Sequence, residues 1–204
     1  QFSPEQKALY ELVLQAQLAA IAVVKPGNHW NEPHDATVKV ITEGLVKLGL
    51  LKGKVSALIK SAAYRDFYMH RAGHWLGMDV HDVGDYKCGG EWRVFEPGMV
   101  LTVEPGIYVS PHNKKVDKKW RGIGIRIEDD VVVTKNGCEV LTAAAPKTVA
   151  EVEAWMALQH PHLSSEMEKA ANKAKTSKTE KSSATTKAKT VSKKTAAARE
   201  KKHG

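Results

Sequence analysis

Apolar positions recur at helical spacing through the first sixty residues and alternate with polar ones after residue 98, so the chain changes its periodicity midway. Leu9, Leu12, Val13, Ala16 and Ala20 form one stripe of a helix expected to run to about Val24. Its start is marked by "SPEQ", Ser3 to Gln6: Ser3 can cap, Pro4 has φ preset for the first helical position, and Gln6 can reach back to a free amide. "KPGN", Lys25 to Asn28, is a stop. A second helix is expected from near "PHDA", with Val38, Ile41, Leu45 and Leu48 on one face. "LLKGK" breaks it, and a shorter helical segment follows through Val55 to Ala63.

From Phe67 the texture turns to glycine-rich loops and β-favouring runs. "GMVLTVEPGIYV", Gly98 to Val109, reads as a strand interrupted by a Pro-Gly turn. "GIGIRIEDDVVVT", Gly122 to Thr134, alternates and then becomes continuously apolar, as a buried strand does. "KNG" is a turn, and Lys147 to Gln159 reads as an amphipathic helix joining Val149, Val152, Trp155 and Met156. Helices first and strands later predict the α+β class, with helices covering a mostly antiparallel sheet.

The net charge of +8 resolves into two unlike parts. Residues 1–163 carry equal numbers of acidic and basic side chains, whereas Ser164 to Gly204 holds twelve Lys or Arg against four Glu. The expected organisation is a balanced globular body over 1–163 and a Lys/Ala/Ser/Thr-rich tail over 164–204. The tail has no aromatic residue and too little apolar area to offset its ordering entropy, so disorder is expected there. It can solubilise the chain, or bind nucleic acid or another polyanion through salt-sensitive phosphate contacts. Cys88 and Cys138 make no disulfide framework and no CxxC pair, which fits a reducing cytoplasm. No apolar run approaches the roughly 20 residues of a membrane span. The opening "QFSPEQ" shows no signal peptide, and a start at Gln rather than Met is expected of a piece of a longer product.

The candidate chemistry sits in two places. "FYMHRAGHWLGMDVHDVG" sets His70, His74 and His81 among apolar, aromatic and glycine residues. Glu104 and Glu128 stand within β-forming runs, where alternation puts Thr102 with Glu104 and Arg126 with Glu128. Either that face is wet or something positive waits there, and Arg126 with Glu128 can also be a structural ion pair. An imidazole and two carboxylates together suit Mn, Zn, Co or Fe better than Ca or a cysteine-rich zinc site. Two such ions about 3.5–4 Å apart can activate water for amide hydrolysis. His34, His112, His160, His162 and His203 lie in polar loops or the tail and receive no role.

"HWLGMDVHDVG", "FEPGMVLTVEPGIYV" and "RGIGIRIEDDVVVT" together resemble the signature blocks of aminopeptidase P, the Xaa-Pro aminopeptidase, among the pita-bread metallopeptidases. The resemblance implies a pita-bread fold, here the C-terminal part of the catalytic domain. It also implies release of the N-terminal residue from peptides with proline second, through metal-activated water at a dinuclear centre that is usually Mn. By the same resemblance His74, Glu104 and Glu128 are metal ligands and Glu104 is also the general base. His81 and His70 serve the substrate, while Tyr108 and Arg126 orient the ligands. Prolidase, which cleaves Xaa-Pro dipeptides, is the neighbouring reading, and the short connection between "HDVG" and "EPGMVL" favours aminopeptidase P.

Two departures qualify the resemblance. Arg71 stands where the family's His-Gly-x-Ser-His or His-Gly-x-Gly-His pattern has glycine, so a perturbed pocket is expected if the backbone must approach closely there. The family centre also has two aspartate ligands on strands before the first helix, and this chain starts at that helix. Asp79, Asp82, Asp129 and Asp130 do not occupy the matching positions. The expected result is one weak metal site or none, little activity alone, and a homo-oligomer only when complete. The other class considered is a non-catalytic pita-bread module binding nucleic acid through its tail.

Overall fold

The computed structural model describes residues 1–159. The 164–204 tail with its expected polyanion contacts lies outside the described residues, as do His160, His162 and His203. Helix α1 spans Pro4–Ile21, and the capping box forms as the sequence predicts: Ser3 Oγ accepts from the Gln6 amide while Gln6 Oε1 accepts from the Ser3 amide. The helix ends before "KPGN", which forms a separate loop. Helix α2, Glu32–Lys47, packs on α1 and buries Val38, Ile41 and Leu45. The third helical stretch divides into α3, Val55–Lys60, and a 3₁₀ turn, Ala63–Asp66, because Ala62 adopts a left-handed φ of 54° between them.

Seven short strands follow: β1 Lys87–Cys88, β2 Glu91–Trp92, β3 Val100–Val103, β4 Gly106–Tyr108, β5 Gly124–Arg126, β6 Asp129–Val133 and β7 Cys138–Val140. Every pairing among the described residues is antiparallel. Strands β1 and β2 turn through Gly89 and Gly90, whose φ values of 60° and 89° suit a two-residue hairpin.

The central pairs correct the expected Pro-Gly turn. Val103 lies opposite Asp129 in the β3–β6 pair, and Gly106 opposite Arg126 in the β4–β5 pair, so the register is identical on both sides of the interruption. The chain does not turn at Glu104-Pro105; it runs straight through. Pro105 brings no N–H, so the ladder loses one of its bonds there, although the Pro105 carbonyl still accepts from the Ile127 amide at 3.3 Å. The second expected strand is broken at the same level, at Ile127-Glu128.

Odd-numbered residues of these strands build the core. Ile107, Val109 and Ile127 join Leu9, Val13, Ile41 and Leu45 in one cluster, and Leu101, Val103, Val131 and Val133 join Ala20, Val24, Trp30, Trp75 and Phe95 in another. Even-numbered residues, including Thr102, Glu104, Tyr108, Arg126 and Glu128, take the opposite face by the period of two. Buried Gln17 of α1 donates to the Val103 carbonyl at 3.4 Å, tying the helix to the strand just before Glu104.

Asp129 is a charge placed inside, 2% exposed, and it accepts from Lys147 Nζ at 2.9 Å and Thr142 Oγ1 at 2.5 Å. This pair fastens the segment after β7 to the sheet. Helix α4, Val149–Gln159, starts at a second capping box made by Thr148 and Glu151. The four residues expected to share its apolar face are not treated alike: Val149 and Val152 are half-buried, whereas Trp155 and Met156 are exposed. No described helix is long and apolar enough to cross a membrane.

Two measurements test this packing. Lys147→Met leaves Asp129 without its cation and is expected to lower the unfolding free energy in urea by about 3 kcal/mol. His34 is held well below its ordinary value of 6.5, at about 4, first by burial and then by the positive charges of Arg71, Arg65 and His70. The unfolded chain therefore binds more protons than the folded one between these values. Stability referenced to His34→Gln should be full above pH 6.5 and fall as pH drops through about 4.

Candidate metal centre

The continuous register sets Glu104 opposite Glu128 at the break. Like charges directly opposed across a strand pair repel and destabilise it. The Glu128 carboxyl is accordingly pushed up from 4.5, first by burial and then by the negative charges of Glu104 and Asp130. Arg126 Nη1 stands 3.4 Å from Glu104 Oε2 and relieves part of this repulsion.

His74 reaches the carboxylates through a run of chain laid beside β3. Glu104 N donates to the Ala72 carbonyl, Thr102 N to the His74 carbonyl and Leu76 N to the Val100 carbonyl, at 2.7, 3.0 and 3.1 Å. Residues 72–76 therefore pass antiparallel to the strand. The approach is so close that a Cβ on Gly73 would meet the Thr102 carbonyl oxygen at 1.9 Å. The close backbone approach of this chain is thus at Gly73, not at 71. The Arg71 guanidinium, expected to disturb the pocket, instead donates to Asn31 and lies over the Trp92 ring at 4.7 Å.

One ligand atom from each of His74, Glu104 and Glu128 falls within 4.8 Å of the others. The hydrogen bonding around them states what fits there. His74 Nδ1 meets the Trp75 carbonyl at 2.9 Å, an acceptor, so this nitrogen carries a hydrogen. Its Nε2 then turns toward Glu104 Oε1 at 3.4 Å. In a neutral imidazole that arrangement sets a lone pair against a carboxylate, with a second carboxylate beside them. A divalent cation with nitrogen and oxygen ligands satisfies all three donors. The donor set therefore fits the metal that the sequence implies.

The remaining expected residues gather around this trio. His81 packs edge-on against His74, ring centres 4.3 Å apart, and is itself exposed. Arg126 Nε donates to the Tyr108 hydroxyl at 2.7 Å, and that hydroxyl meets His70 Nε2 at 3.0 Å. His70 Nδ1 donates to the Arg71 carbonyl at 2.7 Å, so in the neutral ring Nε2 accepts and Tyr108 donates. A single chain of contacts thus runs from Glu104 through Arg126 and Tyr108 to His70. Sequence reasoning placed Thr102 on the correct face but gave it no role. In the structure it is buried, accepts from the His74 amide at 3.1 Å and donates to Glu104 Oε1 at 3.3 Å. Gly73 was equally unassigned, and the small residue preceding a histidine was the available signal.

Comparison with known proteins agrees in family and extent. The model of metallopeptidase family M24 matches residues 1–135. The Xaa-Pro aminopeptidase of Haemophilus influenzae is 51% identical over 155 residues, covering 76% of this chain and 36% of that protein. Human Xaa-Pro dipeptidase is 41% identical over 184 residues, covering 76% of this chain and 37% of its own length. The solved structure of Pseudomonas aeruginosa aminopeptidase PepP superposes with a TM-score of 0.77 at 72% identity, covering 78% of this chain and 36% of that one. The chain therefore spans little more than a third of the length of these relatives.

Charge opposition and metal fit make a joint prediction. Glu128→Gln should stabilise the metal-free chain by about 0.5 kcal/mol, because it removes one of two facing charges. The same variant should weaken Mn²⁺ binding at least about tenfold, a loss of about 1.4 kcal/mol. Urea unfolding without metal and Mn²⁺ titration followed by electron paramagnetic resonance measure the two effects.

Proposed function

Because the chain belongs to metallopeptidase family M24, we propose that it is the C-terminal part of the catalytic domain of an Xaa-Pro aminopeptidase. Its body has the pita-bread fold of aminopeptidase P. The reaction assigned is release of the N-terminal residue from a peptide with proline second. The observation that carries this reading is the convergence of His74, Glu104 and Glu128 within 4.8 Å, at the level where both strands break.

His74, Glu104 and Glu128 are the residues that would hold the ion, and manganese suits a set of one imidazole and two carboxylates. When bound, the ion supplies Lewis acidity toward the scissile carbonyl and toward water. The protein's own share is to manage protons and orientation. Glu104 is the base: Thr102 holds Oε1 and Arg126 faces Oε2, so its carboxylate has a fixed attitude for taking a proton. Tyr108 and Arg126 fix the position of His70 toward the substrate. His81, exposed and edge-on to His74, is the residue assigned to donate to oxygen as negative charge develops there.

Three protein ligands hold an ion less tightly than the five of the family centre, so this chain alone is expected to turn over slowly. With Mn²⁺ added, cleavage of an Ala-Pro-containing tripeptide should stay below about 1% of a complete family enzyme, a deficit of about 2.7 kcal/mol or more in barrier. Glu104→Gln should remove what remains, and His74→Ala should abolish Mn²⁺ binding. Turnover at the rate of a complete enzyme would refute the fragment reading. Failure of the wild-type chain to bind Mn²⁺ at all would refute the metal reading. Similarity to the human dipeptidase sustains prolidase as a second reading, and a substrate series from dipeptide to pentapeptide separates the two.

A further inference from the structure

Next to the metal donors is a cavity of about 410 Å³ lined by Trp30, Arg71, Gly73, Tyr86, Lys87 and Trp92. Its walls are aromatic: Trp30 packs against Tyr86 with ring centres 4.7 Å apart. Its charge is positive. Arg71 Cζ stands 4.7 Å and Lys87 Nζ 4.4 Å from the centre of the same Trp92 ring. Neither cation makes an ion pair among the described residues. Two positive side chains held by one indole, with no carboxylate between them, leave an unmet demand for an anion.

The position of the cavity says which anion. Gly73 is at once part of its wall and the residue before His74, so the cavity adjoins the donors that would act on a peptide bond. Arg71 spends one Nη on Asn31 and keeps other N–H groups free, and Lys87 adds a compact ammonium. The aromatic walls cover the apolar stem of a ligand and keep water from the charged end.

We propose that this cavity is a carboxylate subsite: Arg71 and Lys87 take the carboxylate of a peptide residue downstream of the scissile bond. That group is the peptide's C-terminus or the side chain of Asp or Glu. The assignment rests on the peptidase reading for the identity of the ligand, but the binding itself needs no metal and no turnover.

The test uses the full chain, ¹⁵N-labelled and metal-free. The Trp92 indole N–H signal, identified with Trp92→Phe, is followed during titration with Ala-Pro-Leu and with Ala-Pro-Leu-amide. Two further arms, Ala-Pro-Leu-Glu-amide and Ala-Pro-Leu-Gln-amide, isolate a side-chain carboxylate from a terminal one. At least one carboxylate peptide should shift the Trp92 signal and bind at least about tenfold more tightly than its neutral partner. Arg71→Gln and Lys87→Gln, both at exposed positions, should each remove most of that advantage while leaving the neutral peptides unchanged. Near-ultraviolet circular dichroism confirms that both variants keep the wild-type fold. Equal binding of charged and neutral peptides would overturn the proposal, as would no response at Trp92 or full retention of the advantage in both variants. Mn²⁺ binding through His74 is measured separately, so loss of the metal reading and loss of the subsite are told apart.

Discussion

Two carboxylates set face to face across an antiparallel strand pair repel one another, and the described body is organised around that opposition. The continuous register on either side of Pro105 makes Glu104 and Glu128 partners, although neither lies in a regular strand. Odd-numbered neighbours go into two apolar clusters against α1 and α2, which anchor the strands whatever the carboxylates do. The even face is then free to hold groups that would be intolerable in a core. Arg126 and His74 are positive or polar neighbours that make the pairing bearable, and a divalent ion would fit among the three donors.

The irregular chain between Tyr68 and Tyr86 does not belong to any long element, yet its backbone is well fixed where it matters. Three main-chain hydrogen bonds lay residues 72–76 along β3, and Thr102 accepts from the amide of His74 while donating to Glu104. An imidazole from a loop is thereby positioned with the precision of a strand residue. Beyond the sheet, the buried Asp129–Lys147 contact immobilises the residue directly after Glu128. The side chains of the candidate metal centre thus extend from backbone held on both sides.

Much of this was legible in the residues. The capping box at Ser3, the apolar stripes of α1 and α2, and the alternation that separates Leu101 and Val103 from Thr102 and Glu104 are local signals, and they translate directly into structure. Most of what failed depends on partners far along the chain. Pro-Gly at 105–106 looks like a turn because a proline interrupts a strand; only the pairing with 124–133 shows that the ladder resumes in register. The β1–β2 hairpin was carried by Gly89-Gly90, a readable turn signal overlooked beside the longer runs. Asp129 as an internal charge could not be separated from Asp130, since its partner Lys147 is remote in sequence. The apolar residues of α4 promised a buried face, and Trp155 and Met156 are exposed.

The contrast between positions 71 and 73 bears on substitution. In this backbone a side chain at 73 would drive into the Thr102 carbonyl, so a residue other than glycine there requires the 72–76 run to stand further from β3. Two residues earlier the chain points a long, exposed side chain away toward Asn31 and Trp92, where many residue types can be accommodated. Substitution at 71 therefore changes the charge beside Trp92 without moving the backbone that carries His74.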